Sequence, residues 1–379
     1  GPYAPRGGAA ALGSPAAPSF VFGEGHLKSW YKPLPLRAFI EASRLRGKFR
    51  LAAEGFKEHR DQTLPALRFW ERPATGPRPG PPLVVLHGYG RGIAGPLFSD
   101  KMLFKMPLGD RPIIIVDCTW LLVARLPKNG DVTKVPSVRE LASAVAAFLE
   151  SRRGADGAPF EEVDLLGHSF GTAVASALTR ELAERKDRQA PGIAVRKAIV
   201  MDPMCFMPGI TKQAQLIVRA PRDVVEELVQ EAAPGSSGLS WREVLSATLL
   251  APPKQDAATV QDSAEAASER RRWVIFQTYF FFYFIFRDLM YSWVNLRSLQ
   301  GPDYLDRGLL RQMNRRGRLL TVLAETDTMI PASQLRDVLS GEAPADSQGG
   351  VLWLPTVGHG ACQHRAEVAE RISEFLAAA

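Results

Sequence analysis

Cysteine is scarce in this sequence of 379 residues: only Cys118, Cys205 and Cys362 occur, an odd number with no CxxC pair. A disulfide framework and a cysteine-based metal site are therefore not expected, and a reducing, intracellular compartment, cytoplasmic or organellar, fits better than secretion. A large charge excess is also missing. Forty-seven basic against 40 acidic residues give a net charge of +7, spread along the chain without a basic block, a zinc-finger spacing or a basic stripe interleaved with aromatics. Nucleic acid is thereby excluded as the expected partner, while a weak attraction to anionic lipid stays open. The stretch densest in aromatic and aliphatic residues, Trp273 to Phe286, has 14 residues, Gln277 and Thr278 among them. Spanning a bilayer as a helix takes about 20. The first 22 residues hold one arginine, no acid and no apolar core of the kind a secretory signal needs. A disordered tail over residues 1–25 and the remnant of an organelle transit peptide both fit that composition.

Apolar residues make up 46% of the chain and charged residues 23%, enough to build a packed core. Leu36 to Glu58 reads as mostly helical, with Leu45, Phe49, Ala52, Ala53 and Phe56 at helical spacing on one face, although Gly47 and Gly55 weaken the pattern. Leu67 to Trp70 reads as a first strand. Short, largely apolar runs, read as strands, follow at Leu83–Leu86, Ile113–Val116, Val163–Leu166, Ala198–Met201, Leu319–Leu323 and Val351–Leu354. Such runs are those of strands buried on both faces of a parallel sheet. Helical segments lie between them: Val138 to Leu149, opened by the capping box Ser137/Glu140, then Ala173 to Ala183, and Glu367 to Ala377 at the end. Strands alternating with helices predict an α/β fold, a mostly parallel central sheet with helices on both faces.

The rhythm breaks after Phe206. Residues 207–318 are too long for one crossover and contain helical-looking pieces near Val224–Gln230 and Trp241–Leu250, and a Pro/Ala/Ser stretch from Ala251 to Ser268. They read as an inserted, mainly helical cap over the carboxyl edge of the sheet. Residues 26–206 and 319–379 then form the core.

The pentapeptide Gly167-His168-Ser169-Phe170-Gly171 joins the strand Val163–Leu166 to a helix. Small residues two before and two after the serine suit a sharp, strained strand-to-helix turn that lifts the hydroxyl above the sheet. The Phe170 N–H, at a helix N-terminus, would face a developing oxyanion. With these residues in this setting, the chain resembles the α/β-hydrolase superfamily over Pro81 to Ala379, the insertion apart. The resemblance implies a nucleophile, an acid and a histidine in that order along the chain.

The resemblance puts the histidine after the last strand, where His359 stands between Gly358 and Gly360, with His364 ranked behind it. It puts the acid at the end of the penultimate strand. Asp327, in Glu325-Thr326-Asp327-Thr328-Met329-Ile330-Pro331, matches the family's acid turn. Asp202, after the fourth of the parallel strands, is the alternative acid, since some relatives place it there. The loop His87-Gly88-Tyr89-Gly90 is similar to the family's HG motif and would supply the Tyr89 N–H as second oxyanion donor, with His87 as a structural buttress. It departs from an HGGG sequence, so no lipase or esterase subgroup is singled out.

The expected activity is hydrolysis of a carboxylic ester of a hydrophobic, lipid-like substrate through Ser169, His359 and Asp327, with no metal or organic cofactor. Two other readings stay open: an acyltransferase using the same three residues, and a non-catalytic ligand-binding protein that kept the fold. The stretch Trp273–Phe286, preceded by Arg270-Arg271-Arg272, has three readings: a helix packed on the core, a wall of an acyl pocket represented by Phe281 and Phe282, or a peripheral contact with a lipid surface.

Overall fold

In the computed structural model the described residues run from 34 to 378. Excepted are 65–66, 77–79, 90–91, 99–101, 120–135, 155, 189–191, 307, 328, 345–348 and, apart from six single residues, 207–305. The N-terminal tail, Phe281 and Phe282 therefore lie outside the described residues.

Eight strands form one sheet: β1 (Lys57–Arg60), β2 (Leu67–Arg72), β3 (Leu83–Leu86), β4 (Ile113–Cys118), β5 (Glu162–His168), β6 (Ala194–Met201), β7 (Leu319–Ala324) and β8 (Gly350–Leu354). Their order is β1-β2-β4-β3-β5-β6-β7-β8. From β4 through β8 every pairing is parallel, and β2 joins β4, as β1 joins β2, antiparallel. The inner strands β3, β4 and β7 are buried at every position, as strands covered on both faces must be.

Two apolar layers enclose the sheet. On one face pack α2 (Val138–Glu150), α3 (Phe170–Arg188), α4 (Leu309–Arg315) and α5 (Ala332–Ser340), through residues such as Leu141, Val145, Leu178, Leu310 and Leu335. On the other lie α1 (Leu34–Ala53), through Leu51, the segment holding Ile93, Leu97 and Met102, and α6 (Ala366–Ala377), through Ile372 and Phe375. The capping box of α2 forms as its sequence requires: Ser137 Oγ accepts from the Glu140 N–H at 3.2 Å, and Glu140 Oε2 accepts from the Ser137 N–H at 2.7 Å.

The first helix departs from its expected extent and face. It ends at Ala53, where Gly55 takes φ 81, and the chain turns into β1 by Lys57. Gly55 adopts the left-handed conformation without steric cost and so stops the helix short of Glu58. Leu45 and Phe49 are exposed, Phe49 at 75%. The buried side is that of Arg44 and Leu51, with Gly47 set against the backbone of Ile93.

Charges at the far end of the sheet are matched. The buried Asp164 carboxylate accepts from Arg111 Nη1 at 2.8 Å and from Arg196 Nε and Nη2 at 3.0 and 2.6 Å. All three cysteines are buried and free. Among the described residues no helix is long and apolar enough to cross a membrane.

The described residues on either side of positions 207–305 meet. The chain leaves β6 through Met204 and Cys205, and the Asp306 N–H donates to the Cys205 carbonyl at 2.7 Å as the chain returns. Asp306 then accepts from the N–H groups of Leu310 and Arg311 at the start of α4. Of the aromatic stretch 273–286, Ile275 is described, and it is helical and fully buried.

Candidate active site

β5 carries Gly167 and His168 to the carboxyl edge of the sheet, and α3 begins at Phe170, so Ser169 is the whole of the turn between them. Its φ is 50, in the left-handed region that a residue with a Cβ enters at a cost of about 1–3 kcal/mol. Neighbouring bonds hold it there. The Ser169 N–H donates to the Met201 carbonyl at 2.9 Å, and the Ser169 carbonyl accepts from Thr172 Oγ1 at 2.6 Å. The same Thr172 hydroxyl accepts from the Met204 N–H at 2.9 Å. A Cβ on Gly171 would lie 2.1 Å from the Leu86 carbonyl oxygen, so only glycine lets the start of α3 close on β3.

The second side of the site is the loop after β3. A Cβ on Gly88 would lie 2.9 Å from both Ser169 Cβ and His168 Nδ1, which measures how closely this loop approaches the elbow. His87 fastens it: its Nε2 accepts from the Cys118 N–H at 3.1 Å and its Nδ1 faces the Gly88 carbonyl at 2.7 Å. The ring thus buttresses the loop through both of its nitrogens. The Tyr89 ring rests on Phe170, centroids 4.7 Å apart. Tyr89 and Phe170, the two expected backbone donors, are thus neighbours beside Ser169.

The third side comes from the turns after β7 and β8. His359 Nε2 is 2.9 Å from Ser169 Oγ, and its Nδ1 is 2.7 Å from Asp327 Oδ2. The other carboxylate oxygen, Asp327 Oδ1, accepts from the N–H groups of Met329 and Ile330 at 2.7 and 3.1 Å, which orients the carboxylate. All three side chains are buried. Burial works against a charged imidazole, but the Asp327 carboxylate, by its charge and hydrogen bond, with Asp202 behind it, outweighs this and lifts the His359 pKa to about 9. Burial also raises Asp327, against the pull of His359. Glu325 is exposed and binds the Thr356 N–H, and His364 is exposed, so neither belongs to this chain of contacts.

Asp202 holds a different place. Its Oδ2 accepts from the Gly360 N–H at 2.6 Å rather than from the His359 ring, and it lies 3.3 Å from Cys362 Sγ and 3.6 Å from His168 Nε2. The Gln363 amide contacts that same His168 nitrogen at 2.8 Å. Cys362 and Gln363 escaped the sequence reading, and only their position one turn after His359 hints at a part in the site. Two sets of metal-ligand type exist among the described residues, His168/Asp202/Cys362 and Asp202/Asp327/His359, each with its atoms within 4.8 Å. Each set is joined by its own internal hydrogen bonds.

A family model described as the alpha/beta hydrolase family matches residues 83–371, well over half of the sequence. The chain belongs to the alpha/beta hydrolase family. In this chain β5 leads through Ser169 into α3, and the turns after β7 and β8 carry Asp327 and His359. Solved structures similar to this alpha/beta hydrolase include carboxylesterase CesB from Bacillus subtilis, 15% identical over 91% of this chain and 99% of that one, TM-score 0.47. Another is the thermostable carboxylesterase EstE1 from a metagenomic library, at 15%, 92% and 98%, TM-score 0.45. A third is a bacterial membrane phospholipase A described as a virulence factor, at 18%, 90% and 96%, TM-score 0.43. No curated protein matches the sequence.

Proposed function

We propose that this alpha/beta hydrolase is a serine carboxyl-ester hydrolase acting on a hydrophobic, lipid-like acyl ester. The observation that carries the proposal is the unbroken chain Ser169 Oγ–His359 Nε2–His359 Nδ1–Asp327 Oδ2 at 2.9 and 2.7 Å, buried, with the serine strained at the head of α3. A serine hydroxyl is a weak nucleophile at neutral pH and needs such a base. Ser169 Oγ attacks the ester carbonyl carbon while its proton passes to His359 Nε2. Asp327 keeps the ring in the tautomer with Nδ1–H and stabilises the imidazolium. The negative charge that gathers on the carbonyl oxygen is met by the N–H groups of Phe170 and Tyr89. Collapse breaks the C–O bond, and His359 returns the proton to the departing alcohol. Water, activated by His359, then releases the acid from Ser169.

The preference for a hydrophobic acyl chain is supported by where the insertion is rooted. It springs from Met204–Cys205, and Met204 Sδ lies 3.8 Å from Ser169 Oγ. Phe281 and Phe282, within that insertion, are proposed to contact the acyl chain. A fluorophosphonate probe followed by hydrolysis of p-nitrophenyl esters from acetate to palmitate tests both halves. Labelling at Ser169 with turnover that rises with chain length is expected; an unlabelled serine would overturn the reading.

A further inference from the structure

β6 ends at Met201, and the next residue, Asp202, takes φ 46 while its backbone N–H donates to the Val322 carbonyl of β7 at 3.0 Å. Its side chain is thereby turned under the His359 turn, and it is fully buried. One carboxylate oxygen accepts the Gly360 N–H at 2.6 Å; the other has no hydrogen-bond partner. A buried carboxylate with an unsatisfied oxygen costs stability, so packing alone does not account for it. Its surroundings nonetheless keep it charged. Burial pushes its pKa up, and His168, His359 and the Gly360 N–H together more than reverse this.

Among the described residues, groups from four elements face His359. Ser169 and His168 stand at the end of β5, the His168 ring 5.7 Å from the His359 ring. Asp327 follows β7, Asp202 follows β6, and Cys362 lies in the turn after His359 itself. Asp327 and Asp202 both bring an oxygen within 4.8 Å of a His359 ring nitrogen, yet only Asp327 makes the Nδ1 bond.

We propose that Asp202 is a positioning residue for His359: it clamps the Gly358–Cys362 turn through the Gly360 N–H and adds a second buried negative charge beside the ring. The proposal rests on the hydrolase reading above. Asp327 sets the ring's tautomer, while Asp202 sets where the ring stands and how strongly it holds a proton. Cys362 Sγ and His168 Nε2 meet the same Oδ2 at 3.3 and 3.6 Å, and Gln363 in turn holds His168, so that the carboxylate is kept against Gly360.

Two variants of the full chain separate clamp from charge. Asp202→Asn suits a positive φ and keeps an oxygen for the Gly360 N–H but removes the charge. Asp202→Gly tolerates the same φ and removes both. With p-nitrophenyl butyrate, Asp202→Asn is expected to keep most of kcat while the acid limb of kcat/KM moves to lower pH by about one unit, as loss of an anion within about 4–6 Å predicts. Asp202→Gly is expected to lose kcat by about a hundred-fold, the effect of a misplacement on the order of 1 Å, with KM little changed. Melting curves for both variants run alongside. Lowered melting temperatures with a wild-type pH limb and kcat would overturn the proposal, leaving a structural carboxylate. A loss in Asp202→Asn as large as in Asp327→Asn would also overturn it, making Asp202 the acid itself. A wild-type chain that neither turns over the ester nor takes the fluorophosphonate at Ser169 overturns the hydrolase reading first, and this proposal with it.

Discussion

Ser169 is held at φ 50 by bonds to Met201 and Thr172 while its Oγ is left to His359, so the strain serves the hydroxyl's position rather than any contact of its own. Ser169→Ala should therefore leave the melting curve where it is and remove ester hydrolysis by on the order of a million-fold, the loss seen when a triad nucleophile is deleted. Turnover on a p-nitrophenyl ester that survives the change would discard the nucleophile. Asp327→Asn should cost about ten-thousand-fold in kcat, because an amide at Oδ2 favours the wrong tautomer of His359. The pH dependence has a definite sign. His359 acts as base only when neutral, and the adjacent carboxylates lift its pKa to about 9. The free-enzyme limb of kcat/KM should accordingly rise with pH well above the ordinary imidazole value of about 6.5. A limb at or below that value would mean that the carboxylates do not act on the ring as the distances suggest. At this scale the serine and histidine were legible from strand–turn–helix context and from the glycines around His359. Of the two acids, Asp327 ranked ahead on its resemblance to the family's acid turn, with Asp202 kept as the alternative. They end adjacent strands, β6 and β7, and only the three-dimensional turn decides which carboxylate reaches Nδ1.

Elements were legible in proportion to how completely they are buried. β3, β4 and β7 are apolar at nearly every position because helices cover both faces, and those runs stand out in the sequence. β1, Lys57-Glu58-His59-Arg60, is an edge strand with no apolar residue, so hydrophobic pattern had nothing to detect. α5 is a nine-residue helix, too short for its three buried residues to establish a period. In α1 the spacing of Leu45 and Phe49 pointed to a buried stripe, whereas Gly47 packs against Ile93 and turns Phe49 outward. Polar pairing between elements was beyond sequence reading, since Asp164 meets Arg111 from before β4 and Arg196 from β6 only once the sheet is assembled. Asp164→Ala leaves both guanidinium groups without their shared carboxylate. The expected destabilisation is about 3–5 kcal/mol by urea unfolding. A change below about 1 kcal/mol would show that solvent takes over the pairing.

At the scale of the whole molecule, the carboxyl edge of the sheet gathers Ser169, His359 and Asp327, and Met204, where the chain leaves β6, has its Sδ 3.8 Å from Ser169 Oγ. The Asp306 N–H donates to the Cys205 carbonyl at 2.7 Å, so the residues described on either side of positions 207–305 meet beside the end of β6. The sequence between them carries an unusual density of aromatic residues from Trp273 to Phe286, bounded by arginines. Each such side chain buries on the order of 150–250 Å², so two of them in contact with a long acyl chain would dominate its binding. Ile275, the described residue of that stretch, is fully buried. Replacing Phe281 and Phe282 together with serine should lower kcat/KM for a long-chain p-nitrophenyl ester far more than for the butyrate, with the melting temperature nearly unchanged. A role in the core alone gives the opposite pattern, a lowered melting temperature with the long-to-short ratio preserved. Measuring both esters beside a melting curve decides between an insertion that selects the substrate and one that only completes the fold.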